Sequence, residues 1–184
     1  MESGQQTIHK YLVQRSQQGD RQAQNELYKL YVQAMFNICR RMMGDEEEAK
    51  DVLQEAFVTA FTSINKLKHE VTFSAWLKRI VINHCLNALK KKKLMTEELN
   101  ENDDFKDEEE ADSGFLEFEA KRIMQAIDKI SEGCRTVLNL YLFEGYDHKE
   151  IGQILGVSEA TSKAQYSKAK SKIRQLLEHS GVAD

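Results

Sequence analysis

The chain predicts an all-α fold: two small helical domains, an N-terminal helical bundle and a C-terminal helix-turn-helix domain, joined by an acidic flexible linker. Three observations carry this reading. Apolar residues recur at three- and four-residue spacing through both halves, the period of a helix with one buried face. The 184 residues include no proline, so nothing in the backbone forces the helices to break. Charge is segregated: residues 96–119 hold twelve acidic side chains against one lysine, Lys106. Residues 1–95 carry a balance of +5 and residues 120–184 a balance of +2. The net charge of −4 therefore hides two mildly basic halves, and overall acidity does not argue against a nucleic-acid partner. The expected organisation is a first domain over residues 1–95, a linker over 96–114 and a second domain over 115–184.

The N-terminal half reads as helix throughout. Over residues 22–43, Leu27, Leu30, Tyr31, Ala34, Met35, Ile38 and Met42 are expected to form one buried face. Gly44 should end that helix and Asp45 should cap the next, whose first turn holds Glu46, Glu47 and Glu48 near the positive end of the dipole. Val52, Leu53, Ala56, Phe57, Ala60, Phe61 and Ile64 make its core face. The remaining face carries Glu47, Lys50, Asp51, Gln54, Glu55 and Thr59. On composition alone that polar stripe suits either solvent or a protein partner.

The helix over residues 73–93 is more telling. Leu77, Ile80, Val81, Cys85, Ala88 and Leu89 face inward. A second stripe, Trp76, Arg79, Asn83, Asn87 and Lys90, follows at helical spacing. Cations track phosphates, amides read base edges and aromatic rings support unstacked bases, so this set fits single-stranded nucleic acid. The run Lys90, Lys91, Lys92 and Lys93 adds a phosphate-binding patch. A core tryptophan and a solvated lysine tail are the blander alternatives. The acidic segment that follows is poor in apolar residues and dense in like charge. It reads as a solvated spacer or as a nucleic-acid mimic that covers a basic surface.

Residues 147–177 have the pattern of a helix-turn-helix. Ile151, Ile154 and Leu155 mark a buried face, Gly156 a left-handed end, Val157 a plug for the turn and Ser158 an N-cap. Gly152 would allow close helix crossing. The second helix of such a motif enters the major groove. Its candidate contacts are Ser158, Glu159, Ala160, Thr161, Lys163, Ala164, Gln165, Ser167 and Lys168, with Lys170, Lys172 and Arg174 beyond them. Cys39, Cys85 and Cys134 lie far apart in apolar context, which suggests buried apolar side chains rather than a disulfide framework or zinc site. No cofactor, metal or catalytic motif is recognisable. No apolar run is long enough for membrane insertion and no signal peptide is apparent, so a cytoplasmic place is expected.

Four stretches carry a family resemblance: EEEAKDVLQEAF (46–57), FSAWLKRIVIN (73–83), LNLYLFEGYDHKEIG (138–152) and LGVSEATSK (155–163). Their order around a variable linker resembles the extracytoplasmic-function (ECF) sigma factors of the sigma-70 family. The likeness spans roughly residues 10–95 and 115–178. It implies a non-enzymatic bacterial protein that binds core RNA polymerase and directs promoter-specific initiation. It also implies that Asp51, Gln54 and Glu55 dock on the β′ clamp helices. The loop 66–72 and Trp76, Arg79, Asn83, Asn87, Lys90 and Lys91 would recognise and melt the −10 element of promoter DNA. The helix-turn-helix would read the −35 duplex and contact the β flap, and an anti-sigma factor is a further implied partner.

The chain departs from its relatives at three places. Asn87 stands where many have Asp, which alters the donor pattern at the −10 element. Ser162 stands where many have an apolar residue, and is expected to weaken local packing. Ala164 and Gln165 replace a common Ser-Arg pair, shifting phosphate contacts toward the lysines. A stand-alone helix-turn-helix regulator is the alternative reading, but it leaves the Trp76 stripe without a role.

Overall fold

The helix boundaries expected at Gly44, Asp45, Gly156 and Ser158 each have a visible chemical cause. The computed structural model describes residues 2–68, 72–97 and 115–179. They fall into two units, Met1–Glu101 and Asn102–Asp184. The acidic spacer or mimic lies outside the described residues, apart from its first two positions, which continue the preceding helix.

In the first unit α1 is Glu2–Gln17, α2 Arg21–Met43, α3 Glu46–Ser63 and α4 Phe73–Glu97, with a 3-10 turn at Ile64–Lys66. Asp20 caps α2 by accepting from the backbone N–H groups of Gln22 (2.9 Å) and Ala23 (3.2 Å). Gly44 ends α2 at φ +76°, a left-handed turn that costs glycine little. Asp45 caps α3 by accepting from Glu48 N–H at 2.9 Å. That bond holds the Asp45 carboxyl below its ordinary value. Helix α3 packs against both α2 and α4, and α2 also packs against α1 and α4.

The core of this unit includes Leu12, Ala23, Leu27, Met35, Ile38, Cys39, Met42, Val52, Leu53, Ala56, Phe57, Ile64, Phe73, Leu77, Val81, Cys85 and Leu89. Three expected core residues of α2 lie outside it, half-buried Tyr31 among them. Leu30 is 52% exposed and Ala34 is also exposed. The buried arc of α2 centres on Leu27, Ile38 and Met42, and Leu30 falls on its edge. Conversely, Ile82 and Leu86 of α4 are buried although a single stripe would leave them out. Helix α4 touches both α2 and α3, so its apolar arc is wider than one face. Ile80 and Ala88 are half-buried on its margins, as is Phe61 on α3.

In the second unit α5 is Phe115–Asp128, α6 Glu132–Leu142, α7 His148–Leu155 and α8 Glu159–His179. Its core joins Ile127, Ile130, Cys134, Leu138 and Ala169, with Met124, Tyr166, Ile173 and Leu176 packed around them. Asp147 and Glu150 form a capping box at the start of α7. All three cysteines are buried, as expected.

Candidate nucleic-acid interface

The turn and caps of the helix-turn-helix are built as the sequence predicts, but of the expected buried face Ile151 alone is fully buried, with Ile154 and Leu155 half-buried. Gly156 closes α7 at φ +69°. The Ser158 hydroxyl accepts from Thr161 N–H at 3.0 Å and caps α8. A Cβ on Gly152 would lie 2.8 Å from the Val157 carbonyl oxygen, so the turn and α7 approach each other too closely for an unshifted side chain. These contacts set how α8 leaves the turn.

Ser162 corrects the expectation of weak packing. It is 0% exposed, and its hydroxyl pairs with Nδ1 of His148 at 3.0 Å. The His148 ring stacks on Tyr141, with centroids 4.5 Å apart and planes 10° apart, and Tyr166 closes the group. A buried hydroxyl with a partner is not the defect that an orphaned one would be. The signal was present in sequence as a histidine at the first position of the first motif helix, but nothing local linked it to Ser162.

The outer face of α8 carries most of the predicted contacts. Ser158, Glu159, Ala160, Thr161, Lys163, Ala164, Ser167 and Lys168 are exposed. Gln165 is not on that face: it is half-buried, with Nε2 3.4 Å from where a Cβ on Gly133 would sit. Lys163 pairs with Glu159 at 2.6 Å. The hydrogen bond from Lys163 holds the Glu159 carboxyl below its usual range, and the same bond raises Lys163. Both stay charged at neutral pH, so a carboxylate accompanies the lysine nearest the start of α8.

In the first unit Arg79, Asn83, Asn87, Lys90 and Lys91 are exposed on α4, opposite Leu77, Val81 and Cys85. Trp76 is half-buried beside them, its ring 5.9 Å from Phe73. It is a wall of the stripe rather than a protruding plate. Lys92 leaves the expected phosphate patch, because its Nζ donates to both Glu48 oxygens at 2.7 and 3.0 Å. Of the leading loop, Lys66, Lys68 and Thr72 are exposed and residues 69–71 lie outside the described residues. On α3, Asp51, Gln54 and Glu55 are exposed, as a docking surface requires. His84 reaches back from α4 to Thr59, with Nε2 2.9 Å from Oγ1.

Among the described residues, no group of three His, Cys, Asp or Glu side chains could hold a metal, and no helix is long and apolar enough to cross a membrane. The geometry sets out two helical modules, one unit with a helix-turn-helix and the other with an exposed amide-and-cation stripe beside an aromatic wall. Family models match the same two stretches, Sigma-70 region 2 over residues 27–94 and Sigma-70, region 4 over residues 120–173. The chain is 28% identical to the ECF RNA polymerase sigma factor SigW of Bacillus subtilis (strain 168), over 90% of this chain and 94% of that protein. It is 29% identical to the RNA polymerase sigma-H factor of Pseudomonas aeruginosa, covering 91% and 92%. It is similar to CnrH solved in complex with the cytosolic domain of CnrY (TM-score 0.55, 22% identity, 94% of this chain and 98% of that one). It is also similar to the sigma factor RpoE, solved with the anti-sigma factor NepR, from Bartonella quintana (TM-score 0.57, 17% identity, 84% and 96%). These structural likenesses bear on the fold. The chain belongs to the sigma-70 family, in its ECF group, and acts as an RNA polymerase sigma factor.

Proposed function

We propose that this sigma factor divides promoter recognition between its units. Residues 1–95 bind core polymerase and open the −10 element. Residues 115–184 hold the −35 duplex through α8 and meet the β flap, and residues 96–114 tether the two. The carrying observation is the outward stripe of α4, where Arg79, Asn83, Asn87 and Lys90 sit opposite the buried face. No chemical step is needed from the chain. Unpairing and unstacking a base costs a few kcal/mol, and contacts made only by the splayed base offset it. Asn83 and Asn87 offer amides to base edges, Arg79, Lys90 and Lys91 face phosphates, and Trp76 walls the site. The exposed row Asp51, Gln54 and Glu55 supports docking on the β′ clamp helices. In the second unit, Lys163 and Lys168 flank the small side chains Ala160, Ala164 and Ser167, which let a helix approach a groove closely. The solved relatives with bound partners support an anti-sigma factor as a further partner, and the whole reading places the protein in the bacterial cytoplasm.

The test is a Trp76→Ala, Asn83→Ala double variant assembled with core polymerase. Core binding is expected to persist while permanganate reactivity of −10 thymines falls at least ten-fold. Unchanged permanganate footprints on a cognate promoter would overturn the −10 assignment.

A further inference from the structure

We propose that Cys39 and Cys85 form an oxidisable thiol pair whose product is an internal staple between α2 and α4. The fold brings together two cysteines 46 positions apart, and the Cys85 thiol donates to Cys39 Sγ at 3.8 Å. Both are 0% exposed, reduced and surrounded by core. A disulfide needs the sulfurs at about 2.05 Å, so forming it requires them to close by roughly 1.8 Å. Promoter recognition as proposed above uses neither thiol. Cys134, in the core of the other unit, is an internal control.

The oxidant is a peroxide, small enough to enter during transient opening of the core. One thiol attacks the peroxide, forming a sulfenic acid and releasing one water. The second thiol displaces a second water and the sulfur–sulfur bond forms. Two thiols lose two protons and two electrons in all, and hydrogen peroxide becomes two waters. Burial makes the reaction slow, because it waits on local opening. Asn83 and Asn87 are exposed on either side of buried Cys85, so the staple forms away from the stripe. It therefore hardens the first unit without reshaping that surface.

The experiment uses the full reduced chain, hydrogen peroxide for several hours, then alkylation under denaturing conditions and peptide mass mapping. The expected product has a linked Cys39–Cys85 peptide, one alkylated thiol at Cys134, reversal by dithiothreitol, and a melting temperature of the first unit raised by on the order of 10 °C. Cys39→Ala and Cys85→Ala should each abolish the linked peptide. If either variant fails to fold by circular dichroism, the mapping of the unsubstituted chain alone decides. Three alkylatable thiols after prolonged treatment would overturn the proposal. So would sulfinic and sulfonic acids alone, or bridges only between chains.

Discussion

Ser162→Ala removes a hydroxyl that ties α8 to the start of α7. Ser162 is fully buried and its partner, His148 Nδ1, is half-buried at 3.0 Å. A hydrogen bond of this kind contributes about 1 kcal/mol net, and stranding one partner costs up to roughly 1–3 kcal/mol. Water can reach half-buried His148, so the lower end applies. Alanine returns about 0.5 kcal/mol of helix propensity. The net expected loss is about 0.5 kcal/mol, or roughly 2–4 °C in Tm for a unit of this size. His148→Ala loses the same bond and also the ring stacked on Tyr141, worth a further ~0.5–1.5 kcal/mol. In the double variant the shared bond is lost once, so the two effects should fall short of additivity by about 1 kcal/mol. The assay is thermal unfolding of the full chain followed by tyrosine near-ultraviolet circular dichroism. Trp76 is the only tryptophan and sits in the other unit, so its fluorescence transition should not move. A coupling energy below about 0.3 kcal/mol would refute the strut. A Ser162→Val variant more stable than the parent would refute it too, since an apolar filler would then serve better than the bond.

Two further outcomes follow from charges in the structure. Lys163→Ala should weaken binding to a −35 duplex and lower the salt slope by about 1, whereas Glu159→Gln should tighten binding several-fold by releasing Lys163; fluorescence anisotropy across a salt series checks both. The Asp45 carboxyl is held below its ordinary value of 3.8 by the Glu48 N–H, so its contribution to stability is whole above that value. It disappears as pH falls through the lowered folded value, and Asp45→Asn, which keeps the cap without the titration, should flatten this part of the acid unfolding curve.

Much of this architecture was legible because its signals are local. Gly44, Asp45, Gly156 and Ser158 each act within four residues, and each does in the fold what its neighbours predicted. The stripe on α4 was legible for the same reason, since helical spacing fixes direction. What escaped the sequence depends on partners distant in the chain. Leu30 has an apolar side chain at core spacing, yet among the described residues it stays 52% exposed. Ile82 and Leu86 break the single stripe because two helices, not one, pack on α4. Ser162 looked like a flaw until His148 stood beside it. Gln165 looked like a groove contact until Gly133 stood opposite it. Lys92 looked like one of four equivalent phosphate ligands, yet Glu48 of α3, 44 positions earlier, holds it.

That last pairing bears on how the first unit works. Helices α3 and α4 carry the two proposed surfaces, one for polymerase and one for DNA. Their apolar faces meet, and polar bridges add to that contact: His84 to Thr59 at 2.9 Å, His84 Nδ1 to Glu55 at 3.7 Å, and Lys92 to Glu48. Exposed ion pairs add little stability singly. Their value here is directional, since two well-separated bridges on a packed seam resist sliding and rotation of one helix on the other. Under the proposed function, docking Asp51 and Gln54 on polymerase would fix where Asn83 and Asn87 point. If the amides of α4 read bases as proposed, the packed and bridged α3–α4 seam is what would hold them at a set angle to a partner bound on α3.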